Sequence, residues 1–160
     1  MARTVLYVDD HEDSRKVFLR TFSSKFLVET CASAEDALQH VERGNVAVLL
    51  TDQRMPGMTG LELLERVRDV APMVRRLLVT AYNDVEYRQH LDGCVQGFFV
   101  KPWNSLELEA AIAQAIDIDA LSARVRSVVH ETYRVVAEDA QRREEWVSAA
   151  AKQVAASAGR

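Results

Sequence analysis

Along the first two-thirds of the chain, short runs rich in β-branched and aromatic residues alternate with longer segments whose apolar positions fall three and four apart. The runs TVLYV (Thr4–Val8), LVETC (Leu27–Cys31), VAVLLT (Val46–Thr51), RRLLVT (Arg75–Thr80) and GFFV (Gly97–Val100) are predicted as five strands. Helices are predicted over Ser14–Ser24, Ser33–Arg43, Thr59–Val70 and Asp84–Asp92, with a fifth opening at Asn104. Start signals mark three of them: Ser33 precedes Ala-Glu-Asp, Thr59 and Glu62 have capping-box spacing, and Asn104 stands three residues before Glu107. The middle strands, VAVLLT above all, are apolar throughout, as expected when helices cover both faces of a sheet. The implied fold class is α/β, a doubly wound five-stranded parallel sheet.

The pattern changes after Pro102, because the next glycine or proline is Gly159. Val125, Val129, Thr132, Val136, Ala140, Arg143, Val147, Ala150 and Val154 recur at helical spacing, a stripe broken by Arg143 and thinned to alanine toward its end. A helix from Leu121 to Ser157 would be about 55 Å long, too long to fold back entirely on one small domain. Such a helix gains little stability without a partner surface. The chain therefore reads as a domain over residues 1–120 and a helical extension over 121–160. The extension is expected to pair, as a parallel two-helix coil in a homodimer or as a folded hairpin, with any break falling between Asp117 and Ser122.

Composition narrows the function classes. At 160 residues there is room for one domain and an appendage. An apolar fraction of 48% and a charged fraction of 28% are those of an ordinary globular protein, and no apolar run approaches the length of a membrane span. The start, MARTVLYVDD, has the wrong layout for a signal peptide, so a cytoplasmic location is expected. Residues 1–120 hold 13 basic and 19 acidic side chains, net −6, and residues 121–160 hold 7 and 5, net +2. Neither segment carries the concentrated basic face of a nucleic-acid binder. Cys31 and Cys94 lack metal or disulfide spacing and read as small core residues.

The chemistry lies at the strand ends. Asp9 and Asp10 follow the first strand, Asp52 the third, Thr80 ends the fourth and Lys101 follows the fifth. In open α/β sheets, ligands bind outside the carboxyl ends of the strands. Two carboxylates about 5 Å apart repel by about 3 kcal/mol at an effective dielectric of about 20, so an acidic cluster of this kind calls for a cation. Mg²⁺ takes one or two protein carboxylates and completes its shell with water and phosphate oxygens. An acidic pocket that also holds a lysine suggests phosphoryl chemistry with a carboxylate nucleophile. Lys101 would meet a phosphoryl oxygen and pair with that nucleophile.

LYVDDHEDSR, LLTDQRMPGMTGLELL, LVTAYND and GFFVKPW, in this order and at these intervals, resemble the receiver domain of two-component response regulators over about residues 3–120. The resemblance implies a flavodoxin-like sheet of strand order 2-1-3-4-5 with Asp52 as phosphoacceptor. It implies Mg²⁺ held by Asp9, Asp10, Asp52 and the Arg54 carbonyl, a hydrogen bond from Thr80 to the phosphoryl group, and an ion pair from Lys101. Lys101-Pro102 is placed for a cis bond. Phe99 is expected as the switch aromatic that follows Thr80 inward and repacks the face of the fourth helix, fifth strand and fifth helix. The implied partner is a sensor histidine kinase or a histidine phosphotransfer protein, and no turnover of an outside substrate is expected.

Gln53, Arg54, Tyr82 and Asn83 occupy positions that in this family influence dephosphorylation rate. His11 reads as an exposed loop side chain, His40 and His90 as helix surface, and His130 as a surface or dimer-interface residue, because HETYRVV lacks the continuation of a kinase phosphoacceptor helix. Two accounts of the output stay open: a stand-alone regulator, or the N-terminal part of a longer chain with an output domain. From another class, an Asp-nucleophile phosphohydrolase of the haloacid dehalogenase type shares the Mg²⁺ and the aspartyl phosphate. It would place its nucleophile in an Asp-x-Asp motif after the first strand and carry a cap, neither of which is found here.

Overall fold

The computed structural model describes residues 3–81 and 93–158, with side chains to residue 149. Five strands, β1 (Thr4–Val8), β2 (Val28–Cys31), β3 (Val46–Asp52), β4 (Arg75–Thr80) and β5 (Gly97–Val100), form one parallel sheet in the order β2-β1-β3-β4-β5. Helices α1 (Glu12–Phe22), α2 (Ala34–Glu42) and α3 (Gly60–Val70) follow β1, β2 and β3, and a C-terminal helix runs over Ser105–Ala158. The predicted helix over Asp84–Asp92 lies outside the described residues. No described helix is long and apolar enough to cross a membrane.

Two apolar clusters account for the double winding. One joins Leu6, Val8, Leu49 and Leu78 of the sheet to Ala37 and Val41 of α2 and to Leu63, Leu64 and Val67 of α3. The other joins Val5, Tyr7, Val48, Leu50, Leu77 and Val79 to Phe18 and Phe22 of α1 and to Leu108, Ile112 and Ala115 of the C-terminal helix. β1 and β3 are buried at every position, as expected of central strands covered on both faces, and the edge strand β5 is half-buried throughout. Both cysteines are free and buried, and burial pushes the Cys31 thiol up to about 12.

The cap signals act as expected. The Ser33 hydroxyl accepts from Asp36 N, Thr59 and Glu62 form a complete capping box, and Asn104 Oδ1 accepts from the amides of Leu106 and Glu107. The first helix starts two residues earlier than predicted, at Glu12, because Glu12 and Asp13 sit in its first turn, where acids interact favourably with the free amides.

The chain forms two compact units, Met1–Asp119 and Ala120–Arg160. The predicted break between Asp117 and Ser122 is absent, and the helix is continuous from Ser105 to Ala158, which leaves no hairpin among the described residues. Asp119 is 2% exposed and continues the buried stripe of Leu108, Ile112 and Ala115, and both of its carboxylate oxygens lie within 2.7 Å of Arg3 Nη2. That pairing removes the local reason for a polar break.

Candidate functional site

Alternation along the strands brings the charged residues together. Asp9 continues the face of Val5 and Tyr7, Asp52 that of Val48 and Leu50, and Lys101 that of Phe99, all on the side covered by α1 and the C-terminal helix. The side chains cannot stay in that core, and they meet at the carboxyl end of the sheet. Lys101 Nζ donates to Asp9 Oδ2 at 2.6 Å and to Asp52 Oδ1 at 2.7 Å. Asp52 Oδ2 accepts from Arg54 N at 2.7 Å, so both oxygens of the central carboxylate are bonded. The Lys101–Pro102 bond is cis.

Asp9 is fully buried and crowded with donors. Its Oδ1 accepts from His11 N at 2.9 Å, its Oδ2 from Tyr7 Oη at 2.7 Å as well as from Lys101, and its carbonyl from Arg15 Nη1 at 2.6 Å. Burial alone would raise the Asp9 carboxyl, but the Lys101, Tyr7 and His11 hydrogen bonds outweigh it and hold the group below the ordinary carboxylate range. Burial likewise acts to lower the Lys101 ammonium, and Asp52 and Asp9 together hold it above its usual value. The same burial pushes the Tyr7 phenol upward, helped by the neighbouring Asp9 charge.

A cleft of about 350 Å³ opens here, lined by His11, Ser14, Asp52, Arg54, Thr80, Ala81 and Lys101. Asp9, Asp10 and His11 each offer an atom within 4.8 Å of the others. Two carboxylates beside a half-exposed edge are hard oxygen donors that suit Mg²⁺, whereas the imidazole of His11 does not. His11 is exposed and also lies 3.0 Å from Asp10 Oδ1.

The structure therefore brings Asp9, Asp52 and Lys101 into direct contact, with Asp10, Arg54 and Thr80 at the same edge. Phe99 is different. In the β4–β5 register Leu78 faces Phe98, Val79 faces Phe99 and Thr80 faces Val100. Thr80 thus shares its face with Leu78 and Phe98, while Phe99 packs in the opposite cluster beside Val79. The expected Thr80–Phe99 coupling is corrected on this ground: the aromatic on the threonine's side of the sheet is Phe98.

One further expectation changes, that of His40 as helix surface, and Gln53 gains a structural role. Gln53 is buried, and its Oε1 accepts from Leu61 N at 3.0 Å, which ties it to the start of α3. His40 is half-buried with Nδ1 2.9 Å from Glu29 Oε2 on β2. Tyr82, Asn83 and His90 lie outside the described residues, and His130 is exposed. Sequence reasoning missed Tyr7, Arg15 and Gly60. The Tyr7–Asp9 spacing of two was the available signal, since it puts both on one face of a strand. A Cβ on Gly60 would lie 2.1 Å from the Asp52 carbonyl oxygen, so the turn after β3 needs glycine there.

Residues 5–113 match the family model of the response regulator receiver domain. The hydrogenase transcriptional regulatory protein HoxA of Cupriavidus necator is 36% identical over 120 residues, covering 74% of this chain and 25% of HoxA. The transcriptional regulatory protein FixJ of Rhizobium meliloti is 33% identical over 115 residues, 70% of this chain and 56% of FixJ. The matched region thus spans about a quarter of HoxA and about half of FixJ. Among solved structures, the chemotaxis protein CheY4 of Vibrio cholerae aligns with a TM-score of 0.66 at 28% identity, over 72% of this chain and 99% of that one.

Proposed function

The chain belongs to the receiver domain family of two-component response regulators, and from that premise we propose that Asp52 accepts a phosphoryl group from the phosphohistidine of a sensor histidine kinase or a histidine phosphotransfer protein. The observation that carries this reading is the Lys101 ammonium bridging Asp9 and Asp52 at the carboxyl ends of β1, β3 and β5. A carboxylate oxygen of Asp52 attacks phosphorus, the P–N bond of the donor breaks, and its electron pair returns to the imidazole nitrogen. The product is an acyl phosphate on Asp52. Asp9, Asp10, Asp52 and the Arg54 carbonyl are the groups that would hold Mg²⁺, which when bound offsets negative charge on the phosphoryl oxygens.

Lys101 exchanges its contact with Asp52 for one with a phosphoryl oxygen, and the Thr80 hydroxyl donates to another. Movement of Thr80 toward the acyl phosphate alters the packing beside it, and Phe98, two residues along the same face, is the aromatic placed to respond. Residues 1–120 act in this reading as a cytoplasmic phosphoacceptor without an outside substrate. Residues 121–160 act as a helix that pairs with a second copy, supported by the exposure of Leu121, Val125, Val128, Val129, Val135, Val136 and Trp146. No direct contact with nucleic acid is assigned to either part.

The test is labelling with a small phosphoramidate donor. Wild type should take up one phosphoryl group per chain and Asp52→Asn none. Equal labelling of the variant removes Asp52 from its role, and repeated turnover of a generic phosphate ester would favour the phosphohydrolase.

A further inference from the structure

We propose that Tyr7 is a positioning residue for the acidic site: its hydroxyl fixes the Asp9 carboxylate so that one chosen oxygen, Oδ1, remains available to a divalent cation or its water. This rests on the Mg²⁺ reading above and adds a residue to it. A carboxylate oxygen has two lone-pair directions. Both on Asp9 Oδ2 are taken, by Tyr7 Oη at 2.7 Å and Lys101 Nζ at 2.6 Å, while among the described residues Oδ1 accepts one hydrogen bond, from His11 N at 2.9 Å, with the exposed His11 Nδ1 farther off at 3.6 Å. Turning the carboxylate plane away from this setting would break these bonds, so together they fix the direction in which the second oxygen points.

Tyr7 is suited to hold that orientation because its ring cannot swing. It is fully buried, stacked on Phe18 with centroids 4.1 Å apart and planes at 7°, and met edge-on by Trp103 at 6.1 Å. The hydroxyl is therefore delivered with little loss of freedom. Lys101 is a less constant partner, since it also serves Asp52 and turns to the phosphoryl group in the proposed reaction. While Lys101 makes that exchange, Tyr7 holds Oδ2 without moving, so the carboxylate keeps its orientation. The arrangement separates two tasks that Lys101 alone could not perform together.

Tyr7→Phe in the full chain removes one oxygen and keeps the ring stack. Mg²⁺ binding measured by titration calorimetry should weaken by about 10-fold or more, the usual effect of removing a hydrogen-bond partner from a metal ligand. Labelling of Asp52 at saturating Mg²⁺ should also slow. Phe18→Leu, which loosens the stack but leaves the hydroxyl, should lower the melting temperature with a far smaller loss of Mg²⁺ affinity. An unchanged Mg²⁺ affinity in Tyr7→Phe, or equal losses in both variants, overturns the proposal by reducing Tyr7 to packing. Failure of wild type to bind Mg²⁺, or binding unchanged in Asp10→Asn, overturns the reading of the acidic site itself.

Discussion

Among the described residues of the first unit the large apolar side chains are mostly inside, and Tyr7, Phe18, Phe22, Leu63, Leu64, Leu108 and Ile112 are fully buried. In residues 120–149 the same kinds of residue are outside: Val128 is 66% exposed, Tyr133 74% and Trp146 73%. Both regions share one continuous helix, so secondary structure does not separate them. What differs is how the helix is stabilised. The first unit supplies a sheet for Leu108, Ile112 and Ala115 to cover, and the second has only its own turns, with ion pairs such as Arg143–Asp139 along its surface. Charged side chains are held in fixed positions where the sheet surrounds them, at the edge of the buried core. Asp9 and Asp52 are fixed from several sides by strand ends, amides and a lysine, whereas every described side chain of the second unit from Val125 onward is exposed.

The largest effect is expected at Gly60, which approaches the backbone more closely than any other described glycine. Gly60→Ala would put a Cβ 2.1 Å from the Asp52 carbonyl oxygen and 2.9 Å from its carbon. These are backbone atoms of Asp52 itself, so relief requires moving β3 or α3. A stability loss of about 3 kcal/mol is expected in chemical denaturation, together with labelling slowed about 100-fold by a misplaced Asp52. Wild-type stability for this variant would show that the turn adapts freely, and that Asp52 is not set by packing.

Much of this first unit was legible in the sequence because its signals are local. Continuous apolar runs mark central strands, Thr59 with Glu62 marks a helix start, and Asp9, Asp52 and Lys101 stand just where those runs stop. The resemblance supplied the order of the strands. What stayed hidden depends on register or on distant partners. Phe98 and Phe99 are adjacent, and only their pairing with Leu78 and Val79 says which shares a face with Thr80. Asp119 reads as a polar break until Arg3, far away in the chain, is found beside it. Gln53 reads only as a neighbour of Asp52, and its tie to Leu61 N at the start of α3 needs the fold to be seen. For residues 120–160 the helix itself was legible from the missing glycine and proline, and its continuity was not.

A middle-sized effect sharpens the role of burial. Arg75-Arg76 looks like a solvated dibasic pair, yet Arg76 is buried, with Nε donating to the Cys94 carbonyl and Nη1 to the carbonyls of Val74 and Pro72. Burial depresses the guanidinium below its usual value, and it stays in place through these carbonyls. Arg76→Lys keeps the charge and loses the planar fork, so one ammonium must serve acceptors that lie in different directions. The expected loss is about 1–2 kcal/mol in denaturation, from carbonyls left without a donor. Labelling of Asp52 should change little, because these bonds lie at the opposite end of β4 from Thr80. Unchanged stability would mean that lysine or water replaces the fork.

The smallest effect on folding is expected in the second unit, and there the informative quantity is mass. Val129→Glu and Val136→Glu place charge on residues that are exposed in the chain, so unfolding of the first unit should shift by less than about 0.5 kcal/mol. If the stripe pairs with a second copy, the same substitutions bury an unpaired carboxylate at the contact, and the dissociation constant should rise at least about 10-fold, seen as a fall from dimer to monomer mass in light scattering. A wild-type chain that is already monomeric over the same concentrations removes self-pairing, and the exposed valines must then face a different protein. A change in first-unit stability with unchanged mass points instead to contact within one chain.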